Sequence, residues 1–225
     1  MFVKNTIACF FSLQQTGWSV CHGKKYIVTI TREFGSMGRP IARRLSELLN
    51  VEFYDRDIVE ETARQMNLPL SVVSTNEESQ GGIYAKMKSP IGKFSSEKQN
   101  EIFRVQSEII RKLAAKESCV IVGRCAEYVL KDYSNCFNIY IYAPFEKRIE
   151  NCVTQLGMEE DVAIKMIMEV DKARRKYHKK YTNYYPSDLN NRNLMIDSSF
   201  FGVEGTAQMV ADIVRKHFGE SETIA

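Results

Sequence analysis

The sequence predicts a single α/β domain with a five-stranded parallel sheet flanked by helices. Three observations predict it. Short β-branched, apolar runs alternate with stripes of helical period along most of the chain. The first run leads at once into a glycine-bearing loop and then a helix. The 225 residues, 44% apolar and 26% charged, suit one soluble domain that buries its core without metal or disulfide staples.

The first strand is expected at 26–31, where Tyr-Ile-Val-Thr-Ile-Thr is the composition of a central strand buried on both faces. Residues 32–40 form the loop with Gly35 and Gly38, and Ile41, Leu45, Leu48 and Leu49 recur at helical spacing behind it. Pro40 falls in the first helical turn, where its missing amide would have no partner anyway. A second strand is expected at 51–54 and a helix at 55–66. The stretch 68–93, with Gly81, Gly82, Pro90 and Gly92 among many serines and lysines, reads as a mobile segment.

Ser96 and Gln99 have capping-box spacing, and Ile102, Val105, Ile109 and Leu113 stripe the helix behind them. The third strand is 118–122, ending in Gly123-Arg124 with a helix to 130, and the fourth is 136–142. A helix opens at Pro144 and is broken by Gly157. A long helix at 159–180 has a basic second half, a short strand follows at 193–197, and Val203, Ala207, Val210 and Val214 stripe the last helix. The domain spans 25–218, between an N-terminal extension (1–24) and a short tail (219–225).

Charge and cysteine content narrow the functional classes. The net charge is +3, from 31 basic and 28 acidic residues, which argues against a general nucleic-acid binder. None of the six cysteines forms a CxxC pair, and His22, His178 and His217 are far apart, so neither a zinc site nor a disulfide framework is expected. The apolar run at 6–13 is too short for a membrane span and lacks the basic start and small-residue cleavage site of a signal peptide. The expected location is the reducing cytoplasm, with no membrane partner.

Open parallel sheets bind ligands beyond the carboxyl ends of their strands. The residues expected there are Gly35 to Gly38, Asp55-Arg56, Gly123-Arg124, the Pro144 turn and Asp197-Ser198-Ser199. Glycines that open backbone amides and arginines with planar forks suit phosphate. Arg39 stands where a phosphate-loop lysine would reach the β and γ phosphates.

Four ordered blocks carry a resemblance. Thr29 to Arg39 followed by Phe53-Tyr54-Asp55, Cys119 to Ala126, Tyr142 to Arg148, and Leu194 to Ser199 together resemble the cytidylate-kinase-like family over roughly 26–217. The resemblance implies a three-layer P-loop kinase fold with a mobile NMP-binding region and a helical lid. It implies ATP as phosphoryl donor, Mg²⁺ as its companion ion and a nucleoside monophosphate, CMP or dCMP, as acceptor. Gly35, Ser36, Met37, Gly38 and Arg39 would hold the donor phosphates. Arg124 would bind the acceptor phosphate. Asp55 would lie near the acceptor or cap a helix, and Arg56 would reach the acceptor phosphate or be solvated. Arg174 and Arg175, after Asp171, would close over the transferring group or belong to a solvated basic face, and Arg148 would join them.

The loop departs from G-x-x-x-x-G-K-[ST]. Glu33 replaces the first glycine, Arg39 the lysine, and Pro40 or Ile41 the metal-binding hydroxyl, leaving Ser36 or Thr31 as substitutes and the Mg²⁺ ligands unassigned. These departures keep two alternatives open: a nucleotide-binding or sensor protein without turnover, and a kinase of a different small acceptor.

Overall fold

The computed structural model describes residues 25–68 and 96–219. The N-terminal extension, all but the first residue of the 68–93 stretch expected to be mobile, and nearly all of the C-terminal tail lie outside the described residues. Five strands form one parallel sheet: β1 (Ile27–Arg32), β2 (Glu52–Tyr54), β3 (Cys119–Val122), β4 (Cys136–Tyr142) and β5 (Leu194–Asp197). Their order across the sheet is β2-β3-β1-β4-β5. Strand β1 is central, with Ile30 opposite Val122 on one side and Ile139 on the other. This explains its nearly unbroken apolar sequence, because a strand covered on both faces has no solvent side for polar residues.

Among the described residues the α-helices are α1 (Gly38–Leu49), α2 (Arg56–Gln65), α3 (Ser96–Lys116), α4 (Ala126–Val129), α5 (Phe145–Leu156), α6 (Glu160–Thr182) and α7 (Ser198–Phe218). Helices α1 and α7 cover one face. Ile41 and Leu45 of α1 and Val210 and Val214 of α7 meet Val28, Ile30, Ile139 and Ile141 of the sheet. Helices α3 and α4 cover the other, where Ile109, Ile110 and Leu130 pack on Ile27, Cys119 and Ile121. Each fully buried isoleucine or leucine contributes about 1.5–3 kcal/mol.

The helix ends follow their sequence signals. Asn50 closes α1 and Gly157 closes α5, both in the left-handed conformation that relieves the last carbonyls of a helix. Helix α7 starts earlier than its apolar stripe indicates and is kinked at Gly202 (φ +66°).

The order reverses at β1. From β1 the chain crosses to β2, on the far side of β3, and later elements build outward through β4 and β5. That places a crevice beyond the carboxyl ends of β1 and β3.

Candidate functional site

The loop after β1 occupies this crevice. Glu33 N–H donates to Ile141 O (3.0 Å), extending the ladder one residue past the strand. The chain turns through Gly35 (φ +76°) and Met37 (φ +57°), and Met37 is the residue before α1. It supplies no side-chain cap, so the first-turn amides of α1 are left for water or an external acceptor, where the helix dipole favours an anion.

Two glycines here are required by close approach. A Cβ on Gly38 would lie 2.7 Å from Arg32 Cβ, and one on Gly123 would lie 2.5 Å from Arg32 Nη1. The Arg32 side chain therefore runs from the end of β1 across the loop to the turn after β3. In that turn Gly123, Arg124 and Cys125 are all left-handed (φ +72°, +58° and +53°). Two successive non-glycine residues in this region store strain of the kind found at functional sites. Gly123→Ala is expected to lower stability by about 1–2 kcal/mol, because alanine resists positive φ and displaces Arg32. A urea-unfolding midpoint equal to that of the parent protein would contradict this.

The ion pair between Arg39 and Asp55 is short, with Nε 2.7 Å from Oδ2, and the Asp55 side chain is 4% exposed. Asp55 stands at the N-cap position of α2 but makes no capping hydrogen bond. Its carboxylate is turned to Arg39 instead. Arg56 pairs along α2 with Glu60 (2.9 Å) and is half-exposed. The Ser36 hydroxyl is buried and donates to Glu33 O (3.0 Å), and that of Thr31 lies 3.4 Å from Glu127 Oε2. Ile41 is core. The backbone amides of the loop and Arg39 are the groups here able to meet an anion. Among the described residues no cluster of three or more His, Cys, Asp or Glu could hold a metal ion.

Helix α6 brings the basic segment to the same place. Arg174 Nη1 donates to Arg32 O (3.3 Å), and its guanidinium lies 5.9 Å from the centre of the Phe34 ring. With Arg175 it lines a cavity of about 430 Å³ whose other walls include Arg32, Tyr140, Tyr142 and Leu189. Lys179 and Lys180 are exposed and belong to the solvated part of the run. Helix α6 is held against α3 by Tyr177, whose hydroxyl donates to the buried Gln106 (3.2 Å), and by Tyr181, stacked 4.0 Å from Phe103. Burial raises the Tyr177 hydroxyl far above its ordinary range, so it stays a donor at any working pH.

Arg148, expected among the phosphate ligands, is instead buried. It pairs with Asp171 (2.5 Å) and lies 3.5 Å from Glu33. Burial raises the Glu33 carboxyl, an effect opposed by Arg148 and reinforced by Asp171.

Sequence reasoning missed Arg32 and the buried Glu127, and named Asp171 only as the residue before the basic run. Arg32 had a legible signal, as a cation at the carboxyl end of a buried strand. The other two resemble ordinary helical acids until the fold is known.

Comparison with other proteins agrees with this architecture. The chain is 27% identical over 191 residues to the cytidylate kinase of Methanocaldococcus jannaschii, covering 84% of this chain and 97% of that one. An uncharacterized protein from Eubacterium ventriosum superposes with a TM-score of 0.61 at 25% identity, over 88% of this chain and 100% of that one. The shikimate kinase of Acinetobacter baumannii shares the fold, with a TM-score of 0.50 at 14% identity, over 87% and 96% of the two chains. Residues 27–200 match the Cytidylate kinase-like family, and the chain belongs to that family.

Proposed function

We propose that the protein transfers the γ-phosphoryl group of ATP to a nucleoside monophosphate, with CMP or dCMP as the acceptor. The observation that carries this reading is that the glycine loop, Arg39, Arg174 and the left-handed turn bearing Arg124 stand together at the carboxyl ends of β1 and β3. Phosphoryl transfer needs little covalent chemistry from protein. It needs phosphates held in line and charge neutralised as it shifts toward the leaving oxygen.

In this arrangement the loop amides and the start of α1 bind the donor phosphates, and Arg39 orients them. Arg124, on its strained turn, fixes the acceptor phosphate. Arg174 and Arg175 lie over the space between. Mg²⁺ would enter bound to the donor nucleotide, which brings its charge to the phosphates. No step depends on a protein-bound ion.

The same pairing of Arg39 with Asp55, in place of a lysine directed at phosphates, favours a second reading, a nucleotide-binding protein without turnover. One experiment separates the two. The protein is incubated with ATP and Mg²⁺ against CMP, dCMP, UMP, AMP, GMP and no acceptor, and ADP is measured. Acceptor-dependent ADP with one monophosphate supports the kinase. Micromolar ATP binding by calorimetry with ADP no higher than the acceptor-free control supports the binding protein. Arg124→Ala is expected to raise the acceptor KM roughly tenfold to a hundredfold, the loss of one charge-assisted contact, with ATP affinity little changed. A change confined to ATP would remove Arg124 from the acceptor site.

A further inference from the structure

Phe34 belongs to the glycine loop, yet its ring is fully buried and points away from the crevice. It packs with Cys152 of α5 and with Ala163, Met166, Ile167 and Val170 of α6. Polar contacts close around its backbone. Asp171 Oδ1 accepts the Phe34 amide (2.9 Å), and Asp171 Oδ2 accepts Arg148 Nη1 (2.5 Å). Arg148 Nη1 also approaches Phe34 O (3.3 Å), and Asn151 Nδ2 donates to Gly35 O (2.8 Å). The space behind Gly35 is filled, since a Cβ there would be 2.9 Å from Arg148 O and 3.1 Å from Cys152 Sγ. Every one of these contacts comes from α5 or α6.

A buried ion pair is weak evidence for stability by itself, since desolvation offsets most of its Coulombic gain. Here the carboxylate has a further task, because it holds a loop amide. Asp171 also lies three residues before Arg174, on the same face of α6, and Arg174 donates back to Arg32 O at the start of the loop. The loop is therefore fastened at both ends of one helical turn.

We infer that Asp171 is a positioning residue: it fixes the Phe34 amide and ties the glycine loop to the helical turn of α6 that carries Arg174. The consequence for ATP rests on the nucleotide-binding reading above. The geometric part does not.

The test uses the full chain, free of nucleotide, with amide exchange followed by nuclear magnetic resonance. The Phe34 amide should exchange slowly in the parent protein and roughly tenfold to a hundredfold faster in Asp171→Ala, the range set by losing a hydrogen bond to a charged group. Asp171→Asn keeps an acceptor oxygen and should retain most of the protection. Arg148→Met/Asp171→Asn removes both charges yet keeps the acceptor, and guards against a variant that fails to fold.

In parallel, Asp171→Ala should weaken ATP binding by roughly tenfold to a hundredfold, raising the ATP KM more than it lowers kcat, with recovery in Asp171→Asn. A merely structural role predicts a lower melting temperature with ATP affinity unchanged well below it, and that result overturns the inference. Unprotected Phe34 in the parent protein overturns it whatever the turnover. A shifted ATP affinity without acceptor-dependent ADP keeps Asp171 as a positioning residue and removes the kinase reading instead.

Discussion

Glu127→Gln should destabilise the folded protein by about 3–5 kcal/mol, the usual consequence of removing one member of a buried ion pair. Glu127 is 3% exposed. Its Oε1 is 2.5 Å from His178 Nε2 and 3.4 Å from Arg192 Nη2. The Arg192 side chain is 1% exposed, so glutamine, which matches the shape, leaves a guanidinium buried without its counter-charge. For a chain of this size the melting temperature should fall by roughly 6–20 °C.

The effect should also depend on pH. Burial alone would raise the Glu127 carboxyl, but the His178 hydrogen bond and the Arg192 charge outweigh it and hold the carboxyl below its ordinary value near 4.5. A depressed carboxyl stabilises the fold above the ordinary range, and this contribution is lost as pH falls through the folded-state value. The gap between parent and variant should therefore be widest above about pH 4.5 and narrow in more acidic solution. A gap that stays constant, or a variant within 1 kcal/mol of the parent at pH 7 by the linkage expected of a paired carboxylate, would show that this cluster does not hold the fold.

The cluster matters beyond stability because of what it joins. Glu127 is in α4, His178 is in the basic half of α6, and Arg192 precedes β5. His178 Nδ1 lies 2.9 Å from Tyr184 O, fixing the chain beyond α6. Thr31, two residues before Glu33, lies against the same carboxylate. The C-terminal end of α6 is thus tied to the sheet by one acid, and its middle to the glycine loop by Asp171. The two anchors fix the helix that carries Arg174 and Arg175.

These anchors explain which parts of the molecule were legible in sequence. The five strands could be read because burial on both faces restricts them to Val, Ile and a few others, and the glycine loop because strand, loop and helix follow one another directly. The sheet order could not be read, since no local pattern records that β3 sits between β1 and β2. Asp171 and Arg148 are 23 residues apart and each sits among other charges on a helix. Only the tertiary fold buries them together. The family resemblance of the Tyr142 to Arg148 block groups Arg148 with the arginines expected to close over the transferring phosphate. Strand β4 does end in this block, but α5 turns the side chain inward under the loop. Phe34 was the overlooked clue: an aromatic residue between Glu33 and Gly35 has no reason to face a phosphate, and it marks the side of the loop that packs against protein.

If the protein is the kinase proposed above, Arg39→Ala should lower kcat/KM by roughly a hundredfold or more, because it would remove a cation from the place where charge develops during transfer. The Asp55 pairing is what makes this arginine different from the lysine of an ordinary phosphate loop. The Asp55 carboxylate holds a planar guanidinium by charge, with Oδ2 2.7 Å from Nε, whereas a lysine ammonium is a compact charge on a freely turning stem. Asp55→Asn should therefore leave the cation in place but loosen its aim, with a smaller loss of roughly tenfold, the low end for a charge-assisted contact. Arg39→Lys should recover part of the activity lost in Arg39→Ala, since it restores charge without the fork. Arg39→Ala should also cost about 1–3 kcal/mol of stability, because the Asp55 carboxylate is left buried with its main partner gone. The order alanine, then lysine, then the parent in kcat/KM places Arg39 on the transferring phosphates. Equal turnover in all three, with stability alone reduced, would make the Arg39–Asp55 pair a structural tie between α1 and β2 and would leave the donor phosphates to the loop amides, Arg174 and Arg175.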